Sequence, residues 1–182
     1  LINYPDNPEY PKMLCDRAAL YRNMSEYRLA IEDLNKAYNL YRKTLGKNHI
    51  LTLLAKTDLL RCRKESGEDE VANPIDVVWK VNPKQSAEMP MEYLRYLEVL
   101  TELYFENRFY EYSIDFANYA IDLCQTIQDD DSFALMKPLH LLGESLLMMG
   151  NPEKAMETYQ KMFTLERRFV RRCGKGVSEQ LR

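Results

Sequence analysis

Apolar positions recur at three- and four-residue intervals through most of the chain, the spacing of a buried helical stripe. One stripe reads Leu14-x-x-Arg17-Ala18-x-x-Tyr21, a second Leu97-x-x-Leu100-Thr101-x-x-Tyr104, and a third Leu139-x-x-Leu142-Gly143-x-x-Leu146. Each runs into a further set with steps of 6, 3, 4 and 3 residues. The sets are Tyr21, Tyr27, Ala30, Leu34 and Ala37; Tyr104, Tyr110, Ser113, Ala117 and Ala120; and Leu146, Pro152, Ala155, Tyr159 and Met162. Small residues recur where two helices must approach, and large apolar ones fill the space around them. Gly46, Gly67, Asn107 and Gly150-Asn151 punctuate the pattern, and Asp129-Asp130-Asp131 favours the start of the following helix. The pattern predicts helix pairs at about 10–24 with 27–45, 49–66 with 70–81, 88–107 with 109–128, and 133–149 with 152–173.

The second pair is the weakest in sequence, and the small-residue anchors locate it. Ala30, Ala72, Ser113 and Ala155 stand 42, 41 and 42 residues apart, so Ala72 falls on the beat. Leu59-Leu60 and Trp79 lie near the core positions this implies. Asn73-Pro74 reads as an N-cap followed by proline in the first turn, which shortens the expected helix to about 74–81.

The third stripe, with its Leu142-Gly143 step and the Ala155-x-x-x-Tyr159 block, resembles the tetratricopeptide-repeat pattern. The junction Leu45-Gly46-Lys47-Asn48-His49-Ile50-Leu51-Thr52-Leu53 is similar to the Leu-Gly-x-x-His-Pro-x-Thr-Leu junction of kinesin light chain-type repeats, with Ile50 in place of proline. Asp6-Asn7-Pro8-Glu9-Tyr10 echoes it before the first repeat. The resemblance implies an all-α fold: a right-handed superhelix, or α-solenoid, of about four antiparallel helix pairs. Its repeats fall at approximately 10–48, 49–85, 86–131 and 132–173, in one domain over 1–182. Residues 174–182 are then a tail or the start of a further helix, opening near Ser178. A chain that begins at Leu1 is expected to be a fragment of a longer protein.

Composition narrows the function classes. With 25 Lys and Arg against 28 Asp and Glu, the formal charge of −3 argues against a nucleic-acid partner. Cys15, Cys62, Cys124 and Cys173 are widely spaced with no Cys-x-x-Cys pair, which points to reduced thiols in a cytoplasmic protein rather than a zinc or disulfide framework. No apolar run reaches the roughly 18 residues of a membrane span.

Catalytic chemistry is missing from the sequence. His49 and His140 are the only histidines, and neither belongs to a His-Glu-x-x-His metal pair. His49 is expected to hydrogen-bond its turn. The cluster Arg167-Arg168-Phe169-Val170-Arg171-Arg172 fits the C-terminal end of a helix, where cations complement the dipole, with Phe169 and Val170 packing inward. Tyr21, Tyr27, Tyr104, Tyr110 and Tyr159 fall on the packing beat, while Tyr93, Tyr96, Tyr112 and Tyr119 fall off it. No catalytic, cofactor or metal residue is expected, and the chain is read as non-enzymatic.

The remaining function is binding. In the resembled family the first helix of each pair lines a concave groove suited to a peptide or partner helix. Here those positions include Arg95, Glu98, Val99, Glu102, Phe105 and Glu106 of the third repeat. In the fourth they are His140, Leu141, Glu144 and Met148. Glu98, Glu102 and Glu106 stand at i, i+4 and i+8, a repulsive ladder unless compensated. Arg61 and Lys64 are the expected compensating cations, and otherwise the groove suits a partner with a basic segment. Exposed terminal repeats would also favour self-association. The leading expectation is a protein- or peptide-binding module; the alternative is a sensory or regulatory domain of a larger signalling protein or transcription regulator, gated by a peptide or protein. Relatives that grip the C-terminal carboxylate of heat-shock chaperones use a Lys/Asn/Asn/Lys/Arg clamp. The matching positions here are Cys15, Ala19, Asp58, Arg95 and Val99, so that partner is not expected.

Overall fold

Four residues with left-handed backbone, Ser25 (φ 61°), Gly67 (φ 79°), Arg108 (φ 65°) and Gly150 (φ 74°), reproduce the 42, 41, 42 beat of the small-residue anchors. Each terminates a first helix. Behind the turn the same bonds recur: Glu26 N–H to Tyr21 O at 2.8 Å, Phe109 N–H to Tyr104 O at 2.9 Å, and Asn151 N–H to Leu146 O at 2.9 Å. These bonds satisfy carbonyls that a helix end leaves orphaned. The computed structural model describes residues 7–67, 83–127 and 133–180, in two compact units, Leu1–Tyr96 and Leu97–Arg182. All regular structure among the described residues is helical.

The first unit holds α1 (Tyr10–Asn23), α2 (Tyr27–Thr44), α3 (Ile50–Glu65), the short α4 (Pro83–Glu88) and the start of α5 (Pro90–Glu106). α1 packs on α2, and α2 on α3. Ala18, Ala30, Leu34, Leu59 and Cys62 form a buried cluster there, with Tyr21 packed against it. His49 opens α3: its Nδ1 accepts from Leu51 N–H at 3.3 Å, and the Thr52 hydroxyl donates to Gly46 O at 2.9 Å. The turn role expected of His49 is therefore seen in atoms.

The second unit holds the remainder of α5, α6 (Tyr110–Ile127), a 3₁₀ turn (Phe133–Leu135), α7 (Met136–Met148) and α8 (Pro152–Gln180). Its anchors are Ser113, Ala117, Ala120 and Ala155, all fully buried. Buried hydroxyls bind three helices together: Ser145 Oγ donates to Ser113 Oγ at 2.9 Å, and Ser113 Oγ to Thr101 O at 3.0 Å. Buried polar groups must be paired, and these pair with one another.

Several expectations change. The helix expected at 70–81, with Ala72 and Trp79, lies outside the described residues, as does Asp129–Asp131. The helix expected at 88–107 begins at Pro90, with α4 before it. Proline lacks the N–H that a continuous helix would need and disfavours helical backbone at Met89. Met89 O still accepts from Tyr93 N–H at 3.0 Å. α8 runs to Gln180 rather than ending near 173, so no new helix opens at Ser178. Gly174 and Gly176 weaken a helix by about 1 kcal/mol each relative to alanine, without ending it. Phe169 and Val170 are exposed, at 41% and 62%, instead of packing inward. Tyr96, off the beat, is buried, whereas Tyr112 and Tyr119 are exposed.

Candidate functional site

One carboxylate of the acidic ladder is met from inside the second unit. Glu102 Oε1 lies 2.9 Å from Lys137 Nζ on α7. In the first unit Arg61 is bound to Asp58 at 2.9 Å. Glu144 accepts a hydrogen bond from the Tyr159 hydroxyl at 2.7 Å, and His140 is exposed with its ring edge-on to Tyr159. Val99 is 2% exposed and belongs to the core rather than to an open face. Phe105 is half-buried against Tyr110, and Leu141 is half-buried. Glu98 is half-buried, while Glu106 and Met148 are exposed. Lysine–glutamate pairing across a helix junction depends on which helices meet, so periodicity within one helix did not reveal it.

The first unit carries a different feature. A cavity of about 430 Å³ is framed by α1, α3 and the beginning of α5. That volume lies in the ordinary range of ligand pockets. Its apolar wall comes from Leu51, Leu54 and Ala55 of α3, Tyr41 of α2 and Met91 of α5. Leu54, Ala55 and Tyr41 are buried, and Met91 is 50% exposed at the mouth. Glu9, Lys12, Asp16 and Glu92 also border it.

Asp58, 6% exposed, occupies the boundary with a neighbouring recess of about 60 Å³. Its carboxylate is held by two guanidiniums, Arg61 Nη2 at 2.9 Å and Arg95 Nη2 at 2.8 Å. Cys15, Ala19, Asp58 and Arg95 line this recess, so the register inferred from repeat spacing brings four of the clamp positions together. The Arg95 charge is committed to Asp58. Burial pushes the Cys15 thiol up to about 12, Asp58 adds to the rise, and Arg95 opposes it. Burial likewise raises the Tyr41 phenol to about 12, assisted by negative charge at Cys15, Glu9 and Asp16. The thiol is thus held protonated and inert at neutral pH. Cys15, Cys62 and Cys124 are free. Among the described residues no group of His, Cys, Asp and Glu is placed to hold a metal, and no helix is long and apolar enough to cross a membrane.

Helices that pair through one repeated turn, with small buried residues on a fixed beat, define a helical-repeat protein. Residues 9–74 match the tetratricopeptide repeat family model. A solved structure of a Podosopora anserina protein, described as kinesin light chain with nearly identical TPR-like repeats, superposes with a TM-score of 0.64. It shares 17% identity, over 93% of this chain and 80% of that one. No curated protein matches the chain. Residues 9–74 thus carry the tetratricopeptide-repeat pattern, and the chain has the fold of a TPR-like helical solenoid, similar to kinesin light chain-like arrays. Tetratricopeptide repeats are in general protein-interaction modules.

Proposed function

We propose that this chain is a non-enzymatic module that binds a protein or peptide on the faces made by the first helix of each pair. The observation that carries this reading is the 430 Å³ cavity of the first unit, where α1, α3 and α5, the first helices of three pairs, meet around an apolar wall. In the second unit the same reading assigns the face of α5 and α7 carrying Glu98, Glu106, His140, Leu141 and Met148. A cytoplasmic setting, in keeping with the free thiols, belongs to the same proposal.

Selection of displayed random peptides against the folded chain tests it. Binders should be enriched, and most should lose binding to a Met91→Lys variant, which places a charge at the mouth of the apolar cavity. Absence of enrichment, or binders indifferent to that substitution and to Met148→Lys, would count against the reading.

A further inference from the structure

The three carboxylates at the cavity mouth are free of internal partners. Glu9 precedes α1, Asp16 lies nearly two turns inside it, and Glu92 stands in the first turn of α5; no ion pair among the described residues neutralises any of them. Two cations line the same cavity, Lys12 and Arg95. Arg95 shares the one Asp58 carboxylate with Arg61, a trio that keeps a single positive charge, so with Lys12 two cations face three acids and the mouth stays acidic. Asp58 itself is doubly bound and does not add to the mouth. The field is felt by the buried groups: Glu9 and Asp16 help raise Tyr41, and Asp16 helps raise Cys15. Beneath this rim the wall is Leu51, Leu54, Ala55 and Met91, with no charge of its own.

We infer that the cavity between α1, α3 and α5 takes one apolar side chain of a partner segment whose flanking residues are lysine or arginine. This rests on the binding-module reading above and adds the chemistry of the partner. The apolar side chain displaces water from Leu51 and Met91, and the flanking cations meet Glu9, Asp16 and Glu92. Opposite charges at an exposed rim act mainly on encounter rate and salt dependence, while the buried contact sets residence time.

The test uses fluorescence anisotropy with the whole chain and two labelled peptides. In one a Leu-Met-Leu core is flanked by lysine pairs; in the other the same core is flanked by glutamate pairs. The lysine-flanked peptide should bind at least about tenfold more tightly, and its affinity should fall as salt rises from ~50 to ~300 mM. The Glu9→Gln, Asp16→Asn, Glu92→Gln triple variant should flatten that salt dependence and weaken binding about tenfold. Asp16→Asn alone, at an exposed position, gives a smaller shift in the same direction if the triple variant is poorly folded. Equal affinity for the two peptides, an unchanged salt slope in the variants, or no binding by either peptide overturns the inference. Display-selected binders that depend on Met91 but carry no flanking lysine or arginine overturn it too, and leave the broader reading standing.

Discussion

The guanidinium of Arg17 grips the carboxylate of Asp33 through two parallel bonds, Nε to Oδ2 at 2.6 Å and Nη2 to Oδ1 at 2.8 Å. Asp33 is 3% exposed on α2, whereas the Arg17 side chain on α1 is 52% exposed. The pair therefore ties the two helices of the first repeat with one charge buried. Removing Arg17 strands that carboxylate. Arg17→Ala should cost about 2 kcal/mol, below the 3–5 expected of a fully buried pair because water reaches the arginine. Arg28→Ala, which breaks an exposed pair with Glu32 at 3.8 Å, should cost less than about 0.5 kcal/mol. Urea denaturation followed by circular dichroism compares the two, and equal losses would show that the buried pair is not special.

Gly143 leaves room for Tyr159. A Cβ there would stand 2.7 Å from both Cε1 and Cζ of that ring. The ring cannot easily yield, since its hydroxyl is bonded to Glu144 at 2.7 Å. Gly143→Ala should therefore destabilise by about 1–2 kcal/mol, although alanine is the better helix former by about 1 kcal/mol. In a Tyr159→Ala background the same change should be neutral or stabilising. Thermal melts of the two single variants, the double variant and the unsubstituted chain decide it.

Ser25 and Arg108 adopt left-handed backbone that glycine supplies at Gly67 and Gly150. Neither side chain is buried. Ser25→Gly and Arg108→Gly should each raise stability by about 0.5–1 kcal/mol, the steric relief exceeding the entropy glycine adds to the unfolded chain. A fall in melting temperature for both would contradict the shared turn geometry.

Alkaline pH should unfold the chain along a defined path. Tyr41 and Tyr159 are both raised to about 12, by burial first, with a hydrogen bond to Glu144 next at Tyr159. The folded chain thus holds protons that the unfolded chain releases near pH ~10. This contribution is fully present below about pH 10 and is lost as pH rises from there through about 12. Buried Cys62 and Cys124, each raised to about 11, act with the same sign beginning near pH 9. Denaturation midpoints across this range should fall, and Tyr159→Phe should fall less steeply.

An acidic chaperone-type tail peptide should show no binding in calorimetry. The clamp positions in the first unit present Cys15, Ala19 and an Arg95 already bound to Asp58. A micromolar dissociation constant would refute this.

Much of the architecture was legible because small residues cannot be replaced where helices touch. Ala30, Ser113 and Ala155 were placed on one beat by sequence, and all three are fully buried. Periodicity also located α1, α2, α3, α6 and the starts of α7 and α8 within a few residues. It failed where the signal is not local. The separate α4 ahead of Pro90 was not anticipated, and Val99 shares its spacing with the exposed Arg95 and Glu106 of α5 yet is buried. The site was less legible still. Glu9, Asp16 and Glu92 share no motif, and Asp58 meets Arg95 across 37 residues of sequence. Only packing of three helices brings them to one cavity.

The recurring left-handed turn also dictates where this chain can be lengthened. Helical registration advances about 100° per residue, so one amino acid inserted at Ser25 or Arg108 would swing the whole following helix off its packing partner. The connection at Lys47-Asn48 is exposed; the His49 cap on Leu51 N–H lies wholly on its far side, and only the bonds to Gly46 O from His49 N–H and the Thr52 hydroxyl reach across it. A fluorescent reporter or affinity tag grafted between Lys47 and Asn48 would forfeit the bonds to Gly46 O but keep the His49 cap that opens α3, making that loop the natural splice point for following the protein in solution.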